Sequence, residues 1–518
     1  MKHLCNPATR NATLVLWLAL GSLVTASEKT DLANARSTID RQQLQKHVDV
    51  LADDTFEGRA AGSRGGQAAA GYLVEQLQKI GLAGGAPAGK YYQPFKDGSR
   101  NILAIIPGSD DRLKDEIIMV GAHYDHVGYG KRSNSYGPLG YIHNGADDNA
   151  SGVAGLLELG EALQQLPQTP RRTILLAFWD GEEQGMLGSK HWVTEPTSDL
   201  KQIKFMINVD MIGRLRENRM EIIGTRTASG LRHWISERNQ RSNLQFIFKW
   251  NLKADSDHHT FFKQDIPVLM LHTGLHDNYH RPSDDSNTIN AAGLEQVSRF
   301  LFELTTDLAN RDQVPAFRSE SRRESKKDRQ LLETPVETPP PRLGVSWIDH
   351  DADSGAIILS RVRDKSPADT AGLQAQDRLL KFNGSEIRHD AHFREMVSQA
   401  ARQASVTVTR PGREQPLVLT VTFPAQPFQL GMLWRSDPAE PRSVTVIQVV
   451  AGSAAAQAGL KAGDRLLQLG NHTVQGSEGL ETFIQAMPTK VTARIERAGQ
   501  IKQLSIQLPP RPQDAGSN

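Results

Sequence analysis

The chain has 518 residues, which is too long for one ordinary domain, so we expect more than one folding unit. It carries 60 Lys and Arg residues against 59 Asp and Glu residues, and this near balance argues against nucleic acid as the main partner. The single cysteine, Cys5, lies in the N-terminal segment, so the rest of the chain needs no disulfide.

The N-terminal segment has the three-part pattern of a secretory signal. Lys2 and Arg10 come first, an apolar stretch follows over residues 12–23, and Ala26 ends a run of small residues. The apolar stretch is shorter than the roughly 20 residues of a membrane-spanning helix. We therefore predict a signal peptide over residues 1–26, export to the periplasm or the extracellular space, and no membrane span after cleavage.

Three apolar runs predict buried strands with polar residues at their C-terminal ends. Residues 116–122 precede His123, residues 173–179 precede Asp180, Glu182 and Glu183, and residues 203–209 precede Asp210. In an open α/β sheet, ligands bind at the edge formed by the carboxyl ends of the strands. We therefore expect these side chains to converge.

Two further segments supply similar side chains. Asp147-Asp148-Asn149 opens a predicted helix over residues 153–166, and Tyr279-His280 follows an apolar run at residues 268–271. Any one of these segments alone is typical of a turn, a helix start or a structural hydrogen bond. Their joint position at strand ends favours a metal site.

The number of donors suits two zinc ions, since zinc accepts His nitrogen and carboxylate oxygen and catalytic sites keep a position open. If Asp148 bridges the ions, His123 and Asp210 complete one site. Glu183 and His280 complete the other. Glu182 is then the carboxylate left over, in the place where a general base is needed.

At these residues the chain resembles the zinc aminopeptidases of peptidase family M28, over about residues 51–304. The matching stretches are Gly121-Ala-His123-Tyr-Asp125-His126, Gly145-Ala-Asp147-Asp148-Asn149-Ala-Ser-Gly152, Phe178-Trp-Asp180-Gly-Glu182-Glu183-Gln-Gly185, Asn208-Val-Asp210-Met and Asn278-Tyr279-His280-Arg-Pro-Ser-Asp284.

The resemblance implies a mixed, mostly parallel sheet flanked by helices and two Zn²⁺ ions per chain. The implied metal ligands are His123, Asp148, Glu183, Asp210 and His280, with Asp148 as the bridge. It further implies that Glu182 is the general base, that Asp125 orients the His123 imidazole, and that Tyr279 donates to the oxyanion. A non-proline cis peptide is implied between Asp148 and Asn149.

Other residues near these motifs receive no catalytic role. His126 and the run Asp257-His258-His259 could line the cleft or support its walls. The Gly-, Tyr- and Ser-rich loop over residues 127–142 is a plausible wall of the substrate pocket, because binding residues favour loops held by a rigid scaffold.

After residue 310 the composition changes. Residues 311–341 are rich in charge and proline and poor in large apolar residues, which predicts a solvated, semi-extended linker with no fold of its own.

Beyond the linker the sequence repeats at a constant offset of 87 residues. Leu343-Gly-Val345 recurs as Leu430-Gly-Met432, and Asp377-Arg-Leu-Leu380 recurs as Asp464-Arg-Leu-Leu467. Short β-rich runs around one helical stretch predict two small α+β partial barrels.

Both copies resemble PDZ domains, which bind the C-terminus or an extended segment of a partner as an added strand. The resemblance implies that two backbone loops bind the peptide carboxylate, one in each copy: Leu343, Gly344 and Val345, and Leu430, Gly431 and Met432. Gln376 stands where the second copy has Gly463, which we expect to strain that turn. A role as packing modules or spacers stays open.

We therefore predict a peptidase domain at residues 27–310 and PDZ domains at residues 342–424 and 428–509. The predicted function is an exported dinuclear zinc aminopeptidase acting on peptides, with PDZ modules that bind protein or peptide termini. A carboxypeptidase, a dipeptidase or a glutaminyl cyclase on the same scaffold is an alternative, and Arg132, Arg214 and Arg281 are conceivable partners for a substrate carboxylate. A non-catalytic peptide-binding adaptor is the alternative from another class.

Overall fold

The computed structural model describes residues 26–336, 342–348, 357–400, 402–423, 430–450 and 452–508. The predicted signal peptide lies outside the described residues except for Ala26, and so does the proline run at residues 339–341. Within the described ranges, no helix is both long enough and apolar enough to cross a bilayer.

The first part of the described chain forms one mixed sheet. The strand order is β1-β3-β5-β4-β6-β9-β7-β8, with β2 paired to β3. The central pairs β4-β5, β4-β6 and β6-β9 are parallel, whereas β3-β5 and β7-β9 are antiparallel. The strands are β1 (Ala83–Gly84), β2 (Tyr92–Pro94), β3 (Arg100–Ile106), β4 (Ile117–His123), β5 (Thr173–Trp179), β6 (Ile203–Val209), β7 (Arg219–Ile223), β8 (Gln245–Lys249) and β9 (Val268–His272).

Helices cover both faces of this sheet. Because side chains alternate along a strand, Ile118 and Val120 of β4 face the larger apolar core, whereas Ile117 and Met119 face a smaller one that contains Trp179. Burial on both faces explains why the central strands are continuous apolar runs. The helices are α1 (Ala26–Thr38), α2 (Arg41–Leu51), α3 (Arg64–Ile80), α4 (Gly152–Gln164), α5 (Leu187–Thr194), α6 (Leu231–Arg238), α7 (His258–Phe262) and α8 (Ala291–Asn310).

The linker differs from the sequence prediction. A helix, α9 (Lys326–Glu333), forms within it. The Ser325 side chain accepts from the Asp328 main chain, and the Asp328 carboxylate accepts from the Ser325 main chain, so a capping box fixes the start of the helix. The prediction of a linker without a fold is therefore wrong for this stretch. Composition does not show the capping box of Ser325 and Asp328, which depends on the order of the residues.

Each repeat forms its own antiparallel sheet, with orders β10-β11-β12-β14-β15 and β16-β17-β18-β20-β21 in the described residues. These sheets confirm the predicted fold class of the repeats. The first copy comprises β10 (Val345–Ile348), β11 (Ile357–Val362), α10 (Pro367–Thr370), β12 (Arg378–Phe382), β13 (Ser385–Glu386), α11 (Asp390–Gln399), β14 (Gln403–Thr409) and β15 (Leu417–Thr422). The second comprises β16 (Met432–Ser436), β17 (Val444–Val449), α12 (Ala454–Gln457), β18 (Arg465–Leu469), β19 (His472–Thr473), α13 (Leu480–Ala486), β20 (Lys490–Arg497) and β21 (Gln500–Gln507).

Candidate metal centre

Three central strands deliver polar side chains to one edge of the first sheet. His123 is the last residue of β4, which lies between β5 and β6. The segment after β5 turns at Gly181, where φ is 72°, and presents Glu182 and Glu183. Asp210 follows β6 directly. The parallel register places these ends side by side, as the sequence predicted.

The Asp147-Asp148 loop is tied to the same edge by buried hydrogen bonds. The Asn149 side chain donates to Val209 O at 2.9 Å and accepts from Met211 N at 3.1 Å. One carboxylate oxygen of Asp284 accepts from the main-chain N–H groups of Asp147 and Asp148, at 3.0 and 3.1 Å. The peptide between Asp148 and Asn149 is cis, as the family resemblance implied. These contacts hold the Asp148 side chain against the strand ends.

A first donor group consists of His123, Asp148 and Asp210. His123 Nε2 lies 3.3 Å from Asp148 Oδ1 and 3.4 Å from Asp210 Oδ1. The other ring nitrogen, Nδ1, lies 3.1 Å from the main-chain oxygen of Asp125 and 3.7 Å from its carboxylate. Asp125 Oδ1 also accepts from Glu182 N at 3.0 Å, so one buried carboxylate contacts both His123 and the Glu182 segment.

A second donor group shares the Asp148 carboxylate. His280 Nε2 lies 3.0 Å from Asp148 Oδ2 and 3.2 Å from Glu183 Oε2. His126 Nδ1 lies 2.9 Å from Glu183 Oε1 and 3.8 Å from Asp148 Oδ2. The sequence alone assigns His126 no catalytic role, although it lies only three residues after His123. Its buried Nε2 has no hydrogen-bond partner among the described residues.

These two groups fit metal ions. The possible ligand atoms of His123, Asp148 and Asp210 all lie within 4.8 Å of one another, and the same holds for His126, Asp148 and Glu183. Imidazole nitrogen with carboxylate oxygen is the donor set that zinc accepts. Both groups include Asp148, the residue predicted to bridge.

The crowding of carboxylates also favours a cation at this place. Burial raises the pKa of Glu182 well above its ordinary value; His123 opposes this effect, whereas the charges of Asp257 and Glu183 add to it. Burial also disfavours the Asp148 anion, yet hydrogen bonds with His123 and His280 hold the pKa of Asp148 well below its ordinary value. A bound cation would offset the repulsion among these carboxylates.

The donor groups open into a cleft of about 640 Å³, which we call the active-site cleft. Its other walls come from the loop after β6, from β7 to β9, from the segments after β8 and β9, and from α9. The lining residues are His123, Tyr136, Asp148, Glu182, Glu183, Asp210, Met211, Glu221, Ile223, Lys249, Trp250, Asn251, Lys253, Asp255, Met270, His272, Leu275, Tyr279, His280 and Arg329.

Two tyrosines stand at the entrance beside His280. The Tyr279 ring stacks on the His280 imidazole with centroids 3.9 Å apart, and burial raises the pKa of its phenol. Tyr136, from the loop predicted to form a pocket wall, lies 6.0 Å from the Tyr279 ring and is 66% exposed. A protonated phenol at this position can donate a hydrogen bond into the cleft.

Two of the arginines considered as carboxylate binders are engaged with the protein. Arg214 donates to Asn278 Oδ1 at 3.0 Å and lies 3.9 Å from the Asp284 carboxylate. Arg281 donates to the main-chain oxygens of Tyr136 and Gly137 at 2.8 and 3.1 Å. The guanidinium groups of Arg214 and Arg281 are thus hydrogen-bonded within the protein.

The loops predicted to bind peptide carboxylates have the same form in both repeats. Gly344 and Gly431 have φ values of 81° and 78°. A Cβ atom at either glycine would lie 2.2 or 2.1 Å from the Cβ of Ser366 or Ser453, so only glycine fits. The strands that follow, β10 and β16, are edge strands in the described sheets, so each offers a free side for an added strand.

Curated relatives match about a third of the chain. The chain is 33% identical over 197 residues to a probable leucine aminopeptidase of Arthroderma otae, and this match covers 36% of this chain and 48% of that relative. It is 30% identical over 200 residues to leucine aminopeptidase 1 of Arthroderma gypseum, and this match covers 37% of this chain and 50% of that relative. The chain thus spans about half the length of the curated relatives it matches.

Two of the solved structures that match the chain at low identity are aminopeptidases. LapA of Legionella pneumophila has 17% identity and a TM-score of 0.46, covering 56% of this chain and 77% of that one. BSAP, a zinc aminopeptidase from Bacillus subtilis, has 15% identity and a TM-score of 0.43, covering 54% and 98%.

Family comparison assigns both halves of the chain. Residues 101–305 match peptidase family M28, and this range contains all of the donor side chains described above. Residues 341–421 and 429–508 each match the PDZ domain. The chain therefore carries a peptidase domain of family M28 followed by two PDZ domains.

Proposed function

We propose that this protein is an exported dinuclear zinc aminopeptidase that hydrolyses N-terminal residues from peptides. The observation that carries the proposal is the pair of buried donor groups that share Asp148, with Glu182 beside them in an open cleft. The curated relatives of the peptidase part are named leucine aminopeptidases, which supports the amino end of a peptide as the point of attack.

His123, Asp148 and Asp210 would hold one zinc ion, and Asp148, Glu183 and His280 would hold the other. His126 contacts the second group through Glu183. Zinc ions held there would supply Lewis acidity toward the scissile carbonyl and lower the pKa of an attacking water.

Glu182 is the proposed general base. It takes a proton from the attacking water and later delivers a proton to the leaving amine. Its main-chain N–H donates to Asp125, which also contacts His123, so the base and a metal ligand share one positioning carboxylate. Tyr279 donates from its phenol to the oxygen of the carbonyl under attack, where negative charge develops.

The PDZ domains are proposed to bind peptide or protein termini by strand addition along β10 and β16. The glycine loops before these strands support this role. Export rests on the signal-like segment at residues 1–26, with mature domains over the ranges predicted from the sequence.

The proposal is tested with the zinc-loaded mature protein and one peptide in three forms: free, N-acetylated and C-amidated. We expect cleavage of the free and amidated forms and none of the acetylated form, because an aminopeptidase needs the free amine. Loss of cleavage only on amidation would instead show a carboxypeptidase. No hydrolysis of any form would support a binding protein without catalysis.

A further inference from the structure

The linker helix α9 forms part of the active-site cleft. Arg329, near the middle of this helix, lines the cleft together with the donor groups. It lies outside the residues that match family M28, so the match to that family assigns it no role.

Ion pairs on one side and hydrogen bonds on the other fix the position of the helix. Just before it, Glu324 accepts from the guanidinium of Arg226 at 2.5 and 2.7 Å and pairs with Arg318 at 2.6 Å. Just after it, Val336 N donates to Ile447 O of the second PDZ domain at 3.0 Å. Arg435 of that domain donates to the main-chain oxygen of Leu331. The helix is thus held between the peptidase domain and the second PDZ domain.

Arg226 connects this arrangement to the wall of the cleft. Its guanidinium stacks over the ring of Trp250 at 3.8 Å, and Trp250 lines the cleft. The same guanidinium donates to the buried Asp437 of the second PDZ domain at 2.8 Å. The peptidase domain, the linker and the second PDZ domain therefore meet at one buried side chain.

The cleft-lining cations Lys249, Lys253 and Arg329 form what we call the cationic wall, and Lys249 lies away from the donor groups along the sheet. β8, which ends at Lys249, is three strands from β6, whose end carries Asp210. Three inter-strand spacings of about 4.8 Å give roughly 14 Å, which an extended peptide spans with about four residues. A peptide whose amino end lies at the donor groups therefore brings its fourth residue to this wall.

Three described cations line this wall, Lys249, Lys253 and Arg329, and Arg329 is the one with a planar guanidinium. Lys249 is paired with Glu221 at 2.7 Å. Arg329 is half exposed and uses Nε to donate to Glu333 at 2.9 Å. Its two terminal amino groups have no partner within the part of the chain that the structure describes, and they provide the planar donor pair that a carboxylate accepts.

We propose that Arg329 binds a carboxylate of the peptide substrate at the end of the cleft formed by the cationic wall, which we call the outer end, and so favours short peptides that end there. This inference rests on the proposed aminopeptidase function. The carboxylate can be the C-terminus of a peptide of about four residues or an acidic side chain at that position, and both sources present the same two oxygens to the guanidinium.

The test measures binding, so that it does not depend on turnover. Calorimetry on the zinc-loaded full chain with Glu182→Gln gives the Kd for Leu-Ala-Ala-Ala, for its C-terminal amide and for Leu-Ala-Ala-Asp amide. We expect the free acid to bind about five-fold tighter than its amide, the size of one partly exposed ion pair. The added substitution Arg329→Gln is expected to remove that difference.

Lys326→Gln is the matched control, because it removes a cation from an exposed position of the same helix that does not line the cleft. It should keep the preference for the carboxylate. Tighter binding of the aspartyl amide than of the alanyl amide shows that a side chain also serves as the source. Equal affinities for all three peptides, or a preference that survives Arg329→Gln, would overturn the inference. Failure of the wild-type chain to hydrolyse the free peptide would instead count against the proposed function.

Discussion

At its inner end, next to the donor groups, the active-site cleft is lined by side chains from a single sheet edge. Its outer end is lined by the linker helix α9 and by Trp250, whose ring stacks under Arg226. The residues of the inner end lie at or near strand ends, and the fold places them next to each other. The outer end requires contacts between three segments of the chain. The chemistry of the cleft is thus set by the peptidase sheet, while its length and outer charge are set by domain packing.

The two PDZ domains also differ in which of their ion pairs lie within one domain and which depend on packing between domains. Both keep one ion pair at the repeat offset, Arg410 with Asp377 and Arg497 with Asp464. Arg465 of the second domain is buried and donates to Asp437, whereas its counterpart Arg378 in the first domain is exposed. The shared pairs stabilise the fold of each domain, and the differing positions adapt the second domain to the peptidase surface.

The second domain contacts the peptidase domain through main chain as well as charge. Phe246 N donates to Ala498 O at 2.8 Å, and the Asn239 side chain donates to Gly499 O at 2.8 Å. Arg232 pairs with the buried Glu496 at 2.7 Å. The first domain contacts the second, where Gln457 donates to Glu395 at 2.9 Å.

The largest effect is expected at the inner end. Asp148→Ala removes the carboxylate common to both donor groups, so metal binding and activity should both fall, activity by about a thousand-fold. Metal content and the kcat for leucine p-nitroanilide check this. Asp115→Ala, at an exposed position just before β4, is the control and should change neither. Retention of two metal ions by Asp148→Ala would contradict the shared role.

At the outer end, Asp437→Ala should lower the free energy of unfolding by about 3 kcal/mol, because it leaves Arg465 buried without its acidic partner and removes one of the two acidic partners of Arg226. Thermal unfolding measures this, with the exposed Asp364→Ala as the control. Burial opposes the Asp437 anion, but Arg226 and Arg465 lower the pKa of Asp437 to about 2. Its stabilising contribution is therefore complete above about pH 4 and is lost as the pH falls toward 2. An equal loss of unfolding free energy in Asp437→Ala and Asp364→Ala would contradict the role of Asp437 in domain packing.

A matched pair separates the two PDZ domains directly. Arg465→Ala should destabilise the protein by about 2 kcal/mol, since it leaves a buried carboxylate with one partner fewer. Arg378→Ala, at the same position of the first domain, should change stability by less than about 0.5 kcal/mol. Equal effects of the two changes would show that the second domain is not specially adapted to the peptidase surface.

The smallest expected effect concerns one turn. Gln376 adopts φ 74° where Gly463 of the second domain adopts φ 94°. Gln376→Gly should therefore stabilise the first domain by up to about 1 kcal/mol, and Gly463→Gln should destabilise the second by a similar amount. No atom lies within 4 Å of a Cβ at Gly463, so the change tests backbone strain without a clash. Effects of opposite sign to these would exclude strain as the reason.

The sequence predicted the strands at the inner end well and the contacts at the outer end poorly. Apolar runs predicted β4, β5 and β6 within one residue, because burial on both faces leaves a continuous pattern. The sequence alone assigns His126 no role, because its partner Glu183 is 57 residues away and only the fold brings them together. The sequence does not predict that Arg329 lines the cleft, since nothing in the linker sequence shows that its helix packs there.

Glu182→Gln isolates the proposed base, because it changes one oxygen to nitrogen and leaves the predicted ligands in place. We expect wild-type metal content with a kcat for leucine p-nitroanilide that is lower by about 10²- to 10⁴-fold. Turnover near that of the wild type, at equal metal content, would contradict the assignment of Glu182 as the base.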